Sequence, residues 1–179
     1  MTSHPGGTEH TRNLLAIAVD AGLSPGGRIL DLGAGAGETV LLLRELGFAA
    51  EGIDLAPRSP AVREGSLLCT EYSDGSFDAV ISQCAFFVSG NVPGALCESY
   101  RLLKPGGLLL LSDVCFTPLR QQAEAAGFRV LWEEDITPVW KEYYIEAIWR
   151  DDPLCCEFSQ KKCAYSALVC RKDETNGPV

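Results

Sequence analysis

The run Ile29-Leu30-Asp31-Leu32-Gly33-Ala34-Gly35-Ala36-Gly37-Glu38-Thr39 constrains this chain more than any other, because its character changes twice within a few residues. Ile29 to Leu32 is a short apolar run suited to a buried strand. Val40 to Leu46 has the spacing of an amphipathic helix, with Gly47 as its stop. Between them stand three glycines, at 33, 35 and 37. A backbone free of Cβ atoms can turn tightly there and approach a ligand closely, and the helix that follows aims its unpaired N–H groups at the same point. A strand, a glycine bend and a helix in that order predict an α/β chain with a nucleotide-type pocket at the bend.

The spacing then narrows the ligand. The dinucleotide fingerprint wants its third glycine three positions after the second, where this chain has Glu38. Asp31, directly before the bend, would repel a diphosphate but suits a cation. Asp54 closes the next apolar run, Gly52-Ile53-Asp54, where a carboxylate can accept hydrogen bonds from two ribose hydroxyls. The implied ligand carries a ribose and a positive charge and needs no phosphate. S-adenosylmethionine fits that description.

Four motifs in order carry a family resemblance. They are Asp31 to Gly37; Gly52-Ile53-Asp54-Leu55-Ala56-Pro57; Asp74-Gly75-Ser76-Phe77-Asp78-Ala79-Val80; and Arg101-Leu102-Leu103-Lys104-Pro105-Gly106-Gly107. Together they resemble the class I S-adenosylmethionine-dependent methyltransferases, in the branch with the ubiquinone and menaquinone biosynthesis enzymes. The resemblance implies a Rossmann-like sandwich with a mostly parallel sheet and an antiparallel last strand. It implies S-adenosylmethionine as cofactor, with S-adenosylhomocysteine as product. It assigns cofactor binding to Asp31, Gly33, Ala34, Gly35, Gly37, Asp54, Leu55, Ser66, Leu67, Ser82 and Gln83. Ser66 stands where relatives often carry an acid for the adenine amino group, which leaves adenine to backbone groups and to apolar contact with Leu55 and Leu67.

Length and charge bound the rest. At 179 residues the chain is expected to be a single domain, and its net charge of −9 argues against a nucleic-acid partner. The stretch before Thr11 has no apolar core, and no run approaches the roughly 20 apolar residues of a membrane span, so a cytoplasmic protein without a membrane partner is expected. The eight cysteines then read as thiols. Cys155, Cys156 and Cys163 form one cluster, but a fourth ligand and CxxC spacing are lacking, so no metal site is expected.

Along the chain, residues 1–10 read as a flexible lead in which His4 and His10 are disordered, the alternative implied by the resemblance being that this segment folds over the cofactor and the two histidines line the pocket; Thr11 to Ala21 reads as a helix. Only Leu55 to Glu64 separate Asp54 from Gly65, and Pro57 and Pro60 restrict a helix there, so the unit after the second strand is abbreviated. Phe77 to Ser82 reads as a central strand. Its carboxyl end puts Gln83, Cys84 and Phe86 where the methyl group would be delivered. Pro93 to Leu103 is a helix, Leu108 to Leu111 a strand finishing at Asp113, Leu119 to Ala126 a helix, and Phe128 to Trp132 a strand. Residues 138–163 look like an inserted lid, with Trp140 and Tyr144 offering aromatic surface to an apolar or planar acceptor, although a plain core helix explains the same residues equally well. Tyr165 to Arg171 is the last strand, and 172–179 a polar tail.

Methyl transfer needs alignment more than a protein nucleophile. No catalytic base stands out among His4, His10, Asp113, Glu142 and Tyr144. Three alternatives remain at this point: methylation of a thiophilic metalloid such as arsenite, a non-catalytic S-adenosylmethionine-binding module, and a nicotinamide-dependent oxidoreductase.

Overall fold

A computed structural model describes residues 4–150 and 163–173. In chain order the elements are α1 (Gly7–Asp20), β1 (Arg28–Leu32), α2 (Glu38–Glu45), β2 (Ala49–Asp54), β3 (Arg63–Glu64) and β4 (Phe77–Gln83). There follow α3 (Val92–Leu102), β5 (Leu103–Cys115), α4 (Leu119–Ala125), β6 (Phe128–Asp135), α5 (Thr137–Trp149) and β7 (Ala164–Lys172). The strands form one sheet in the order β3-β2-β1-β4-β5-β7-β6. Every pair from β3 to β5 is parallel, and β7 runs antiparallel to both β5 and β6. This is the mostly parallel sheet with an antiparallel last strand that the motif order predicts.

The apolar runs of β1, β4 and β5 are buried on both faces, as a central strand requires. Alternate residues point to opposite sides. Ile29, Ile81, Leu108 and Leu110 join α1, α2 and α5 in one core, whereas Leu30, Val80, Leu109 and Leu111 join α3 and α4 in the other. The result is three layers with the sheet between.

The unit after β2 is short, as expected: residues 55–62 form turns rather than a helix, and β3 is two residues long. Other boundaries differ from the sequence reading. β5 begins at Leu103, because Phe77 pairs with Leu103 before the register slips past Lys104 to Gly107 and resumes at Ala79 opposite Leu108. β6 extends to Asp135, since pairing with β7 holds its polar end in the sheet. The N-terminus departs most. α1 starts at Gly7, not Thr11, and the turn before it is ordered through a Gly7 N–H bond to the His4 carbonyl. The part of the expected flexible lead that is described is therefore structured, and His4 and His10 are buried at 4% and 9% exposure.

β1 and β4 are neighbours from which the chain winds in opposite directions, the switch point at which open α/β sheets form a crevice beyond the carboxyl ends of their strands. Because α1 leads by a short connection into the first residue of β1, its N-terminal end lies at that same edge. Among the described residues no helix is long and apolar enough to cross a membrane.

Candidate active site

The bend after β1 is pinned to β2. The N–H groups of Gly33 and Ala34 both donate to the Ile53 carbonyl, at 2.9 and 3.0 Å, and the Gly37 N–H closes the turn onto the Ala34 carbonyl at 2.7 Å. The Gly33 backbone has φ +83°, and a Cβ there would sit 2.2 Å from the Ala85 Cβ, so the bend and the turn after β4 touch with no room for a side chain. Gly52 serves the other side: a Cβ there would meet Val40 and Ala34 at 2.6 and 2.8 Å.

Two carboxyl groups face this bend. Asp54 accepts the Gly35 N–H through Oδ2 and the Ala56 N–H through Oδ1, both at 2.9 Å. Each oxygen keeps a further lone pair for a ligand hydroxyl. Asp31 is 4% exposed, and burial, reinforced by the Asp54 charge, raises its pKa to about 7.

At the carboxyl end of β4, Gln83 is the centre of a buried polar ring. Its Oε1 accepts from Thr11 Oγ1 (3.1 Å) on α1 and Thr39 Oγ1 (3.3 Å) on α2. His4 closes the ring, with Nε2 3.3 Å from Thr11 Oγ1 and Nδ1 3.4 Å from Gln83 Nε2. With its hydrogen on Nε2, His4 donates to Thr11 and accepts the Gln83 amide at Nδ1, whereas a hydrogen on Nδ1 would instead serve the Pro5 carbonyl, 3.2 Å away; burial lowers the pKa of this imidazole, which favours the neutral ring. His10 lies one residue before Thr11, its Cβ and Cγ crowding Gly6, which is also close to Val139 of α5. The His10 Nε2 is buried without a hydrogen-bond partner among the described residues, and burial holds this ring's pKa down to about 4.

Cys84 follows with φ +59°, a conformation uncommon for a residue with a side chain and one that gathers at functional sites. Its Sγ is 3.0 Å from the Tyr165 hydroxyl, which donates its hydrogen to the Ser112 carbonyl at 3.2 Å and can accept from the thiol. Trp140 stacks on Tyr165 with ring centroids 6.3 Å apart. Asp113, 1% exposed, accepts the Phe87 and Val114 N–H groups at 3.0 and 2.7 Å. Burial raises its pKa to about 6 although these bonds pull the other way. Its role here is to hold the turn from 84 to 87.

The segment that carries this bend has counterparts among known proteins. The family described as methyltransferase domain matches residues 30–111, the segment from β1 to β5. That segment resembles the class I S-adenosylmethionine-dependent methyltransferases. It is 35% identical over 117 residues to an arsenite methyltransferase of Aquipseudomonas alcaligenes, covering 51% of this chain and 34% of that protein. To a demethylmenaquinone methyltransferase of Thermus thermophilus it is 34% identical over 122 residues, covering 59% and 54%. The chain thus spans between about a third and about half of the length of these curated relatives. A Haemonchus contortus phosphoethanolamine N-methyltransferase, solved with S-adenosyl-L-methionine, superposes with a TM-score of 0.71 at 21% identity, over 95% of this chain and 54% of that one.

Within this methyltransferase fold, Asp31, Gly33, Ala34, Gly35, Gly37 and Asp54 come together at the bend, and Gln83 and Cys84 border it from β4. Leu55 is 71% exposed beside the bend, and Leu67 is nearly buried, 3.8 Å from a Cβ on Gly33. The Ser66 hydroxyl is committed to its own turn, accepting the Leu68 N–H. The Ser82 hydroxyl donates to the Leu32 carbonyl and is fully buried, tying β4 to the end of β1. Phe86 and Tyr144 pack in the two cores, and Trp140 is 2% exposed. Trp140 and Tyr144 are therefore packed against β7 more than spread over the crevice. Residues 151–162, with Cys155 and Cys156, lie outside the described residues, so the lid-like segment is seen only as α5. Sequence reasoning missed Thr11, Thr39 and Tyr165, since polar residues in apolar helices and strands give no local signal. It also missed Gly52, whose place directly before Ile53-Asp54 was the available hint.

Proposed function

We propose that this chain transfers the methyl group of S-adenosylmethionine to an oxygen or nitrogen of a small-molecule acceptor at the carboxyl end of β4. The observation that carries the reading is the pairing of Asp54, anchored on the Gly35 N–H, with the buried Asp31 beside a bend built only of glycine and alanine. The first suits the two ribose hydroxyls and the second a sulfonium. S-adenosylmethionine supplies a methyl group activated on a positively charged sulfur. The acceptor's lone pair forms the new bond as the carbon–sulfur bond breaks and its electron pair stays on sulfur, and the proton of the acceptor's O–H or N–H leaves to solvent.

The protein's part is alignment and exclusion of water, which supply a large share of the barrier reduction, on the order of 7–11 kcal/mol in favourable cases. His4, locked to Gln83, closes the edge over β4, and Trp140 and Tyr165 wall the side of Cys84. His10, with its open Nε2 and a pKa near 4, is too weak a base to remove a proton efficiently at neutral pH.

Calorimetry with S-adenosylmethionine tests the cofactor half, and radiolabelled donor offered to a metabolite extract tests the transfer. Absence of binding defeats the reading. Binding without transfer to any acceptor favours the non-catalytic module, and binding of NADH in its place favours the oxidoreductase. A trivalent arsenic acceptor is the second reading, favoured by the Cys84 thiol at the delivery point and by the arsenite methyltransferase relative. Such an acceptor wants several thiolates. No group of three or more His, Cys, Asp or Glu gathers among the described residues.

A further inference from the structure

The Asp31 carboxyl is set apart from the other buried acids of the chain. Asp113 is held by two backbone N–H groups, and Glu98 by Arg101 and Thr70. Asp31 is as deeply buried, yet among the described residues no donor or cation reaches its side chain. The surrounding elements supply none. Across the β4 pairing stands Ile81, and across the β2 pairing Gly52. Asp54 contributes a second carboxylate whose partners are the Gly35 and Ala56 N–H groups. The other titratable groups on adjoining segments are Glu38 at the start of α2, His4, held neutral, and Arg58, whose guanidinium lies against Gly35 rather than Asp31. Of all these only Asp54 acts on Asp31, and it acts unfavourably.

A carboxyl so placed keeps its proton up to about neutral pH, and a positive charge arriving beside it favours the ionised form. We propose that Asp31 distinguishes the methyl donor from the spent product by exchanging a proton for the sulfonium charge. This rests on the cofactor reading above and adds a step to it. When the donor binds, the Asp31 O–H bond breaks, the proton leaves to solvent, and the carboxylate faces the sulfonium. When the methyl group is transferred, the carbon–sulfur electron pair stays on sulfur, the sulfonium charge disappears, and Asp31 takes a proton back from solvent. Donor and product share the same ribose, adenine, ammonium and carboxylate, so the difference of one charge is what Asp31 reads.

Proton linkage gives the size of the effect. Below neutral pH the donor competes with a proton, and its dissociation constant rises up to tenfold for each unit of falling pH. S-adenosylhomocysteine meets no such competition. Titration calorimetry at pH 6, in two buffers of different ionisation enthalpy, reads the exchange directly. Close to one proton is expected to be released per S-adenosylmethionine bound and close to none per S-adenosylhomocysteine. Asp31→Asn is expected to abolish the release while still binding S-adenosylhomocysteine, which shows that the variant is folded. If the wild-type chain binds both ligands with equal proton counts and a pH-independent affinity ratio, the exchange is overturned and the cofactor reading stands. If neither ligand binds, the cofactor reading falls and takes the exchange with it.

Discussion

The contact between Gly33 and Ala85 yields a quantitative test of how the bend is built. In Gly33→Ala the new Cβ would lie 2.2 Å from the Ala85 Cβ, whereas carbon atoms rest at about 3.5–4.0 Å. One side must retreat by more than 1 Å. The Ala85 side is restrained, because Asp113 grips the Phe87 N–H and the Cys84 N–H bonds the Ser112 carbonyl. Overpacking of this kind costs about 1–3 kcal/mol, and a side chain at φ +83° about 1–2 kcal/mol more. The sum of about 2–5 kcal/mol is a large part of the roughly 5–15 kcal/mol that holds a domain folded. At about 2–4 °C per kcal/mol for a chain of this size, Tm should fall by about 4–20 °C. Gly47→Ala is the matched control: its φ is +87°, but nothing lies within 4 Å of its Cβ, so it incurs only the backbone cost. Urea denaturation of both variants should separate them by about 1–3 kcal/mol. Equal losses would refute the close approach of bend and turn.

Three further outcomes follow from the site. Asp54→Ala should weaken S-adenosylmethionine binding by about 1–3 kcal/mol, read by calorimetry, because ribose hydroxyls lose their acceptor; unchanged affinity would remove Asp54 from the site. Gln83→Ala leaves Thr11, Thr39 and His4 without their shared partner and should cost about 1–3 kcal/mol, with amide exchange accelerated from Gly7 to Thr11. Asp31 keeps its proton in the folded chain up to about pH 7, while the unfolded chain loses it near pH 4, so its contribution to stability falls as pH rises between those values. Asp31→Asn should therefore gain stability relative to wild type on going from pH 5 to pH 8, by at most about 3 kcal/mol. A pH-independent offset between the two would show that Asp31 is not protonated in the native state.

Much of this architecture is legible from short-range patterns. The glycine bend, the acid closing β2 and the two prolines that forbid a helix after it all act within a few residues of where they stand, so sequence reports them directly. What sequence does not report is pairing across distance. Thr11, Thr39, His4 and Gln83 meet from four separate segments, and each alone reads as an ordinary polar residue. The same gap explains the N-terminus: His4 looks disordered until Gln83, 79 residues on, supplies its partner. Aromatic spacing in α5 was ambiguous for another reason, since a helix facing a cavity and one facing β7 want the same side chains.

The turns that replace a helix between β2 and β3 have one more consequence. They leave Leu55 largely in water and only a two-residue strand beyond it, so the base of a bound nucleoside would rest at an open rim. A chemical handle attached to the outer edge of the purine would then trail into solvent without meeting protein, making this flank the natural place to immobilise the ligand for capturing the chain on a resin.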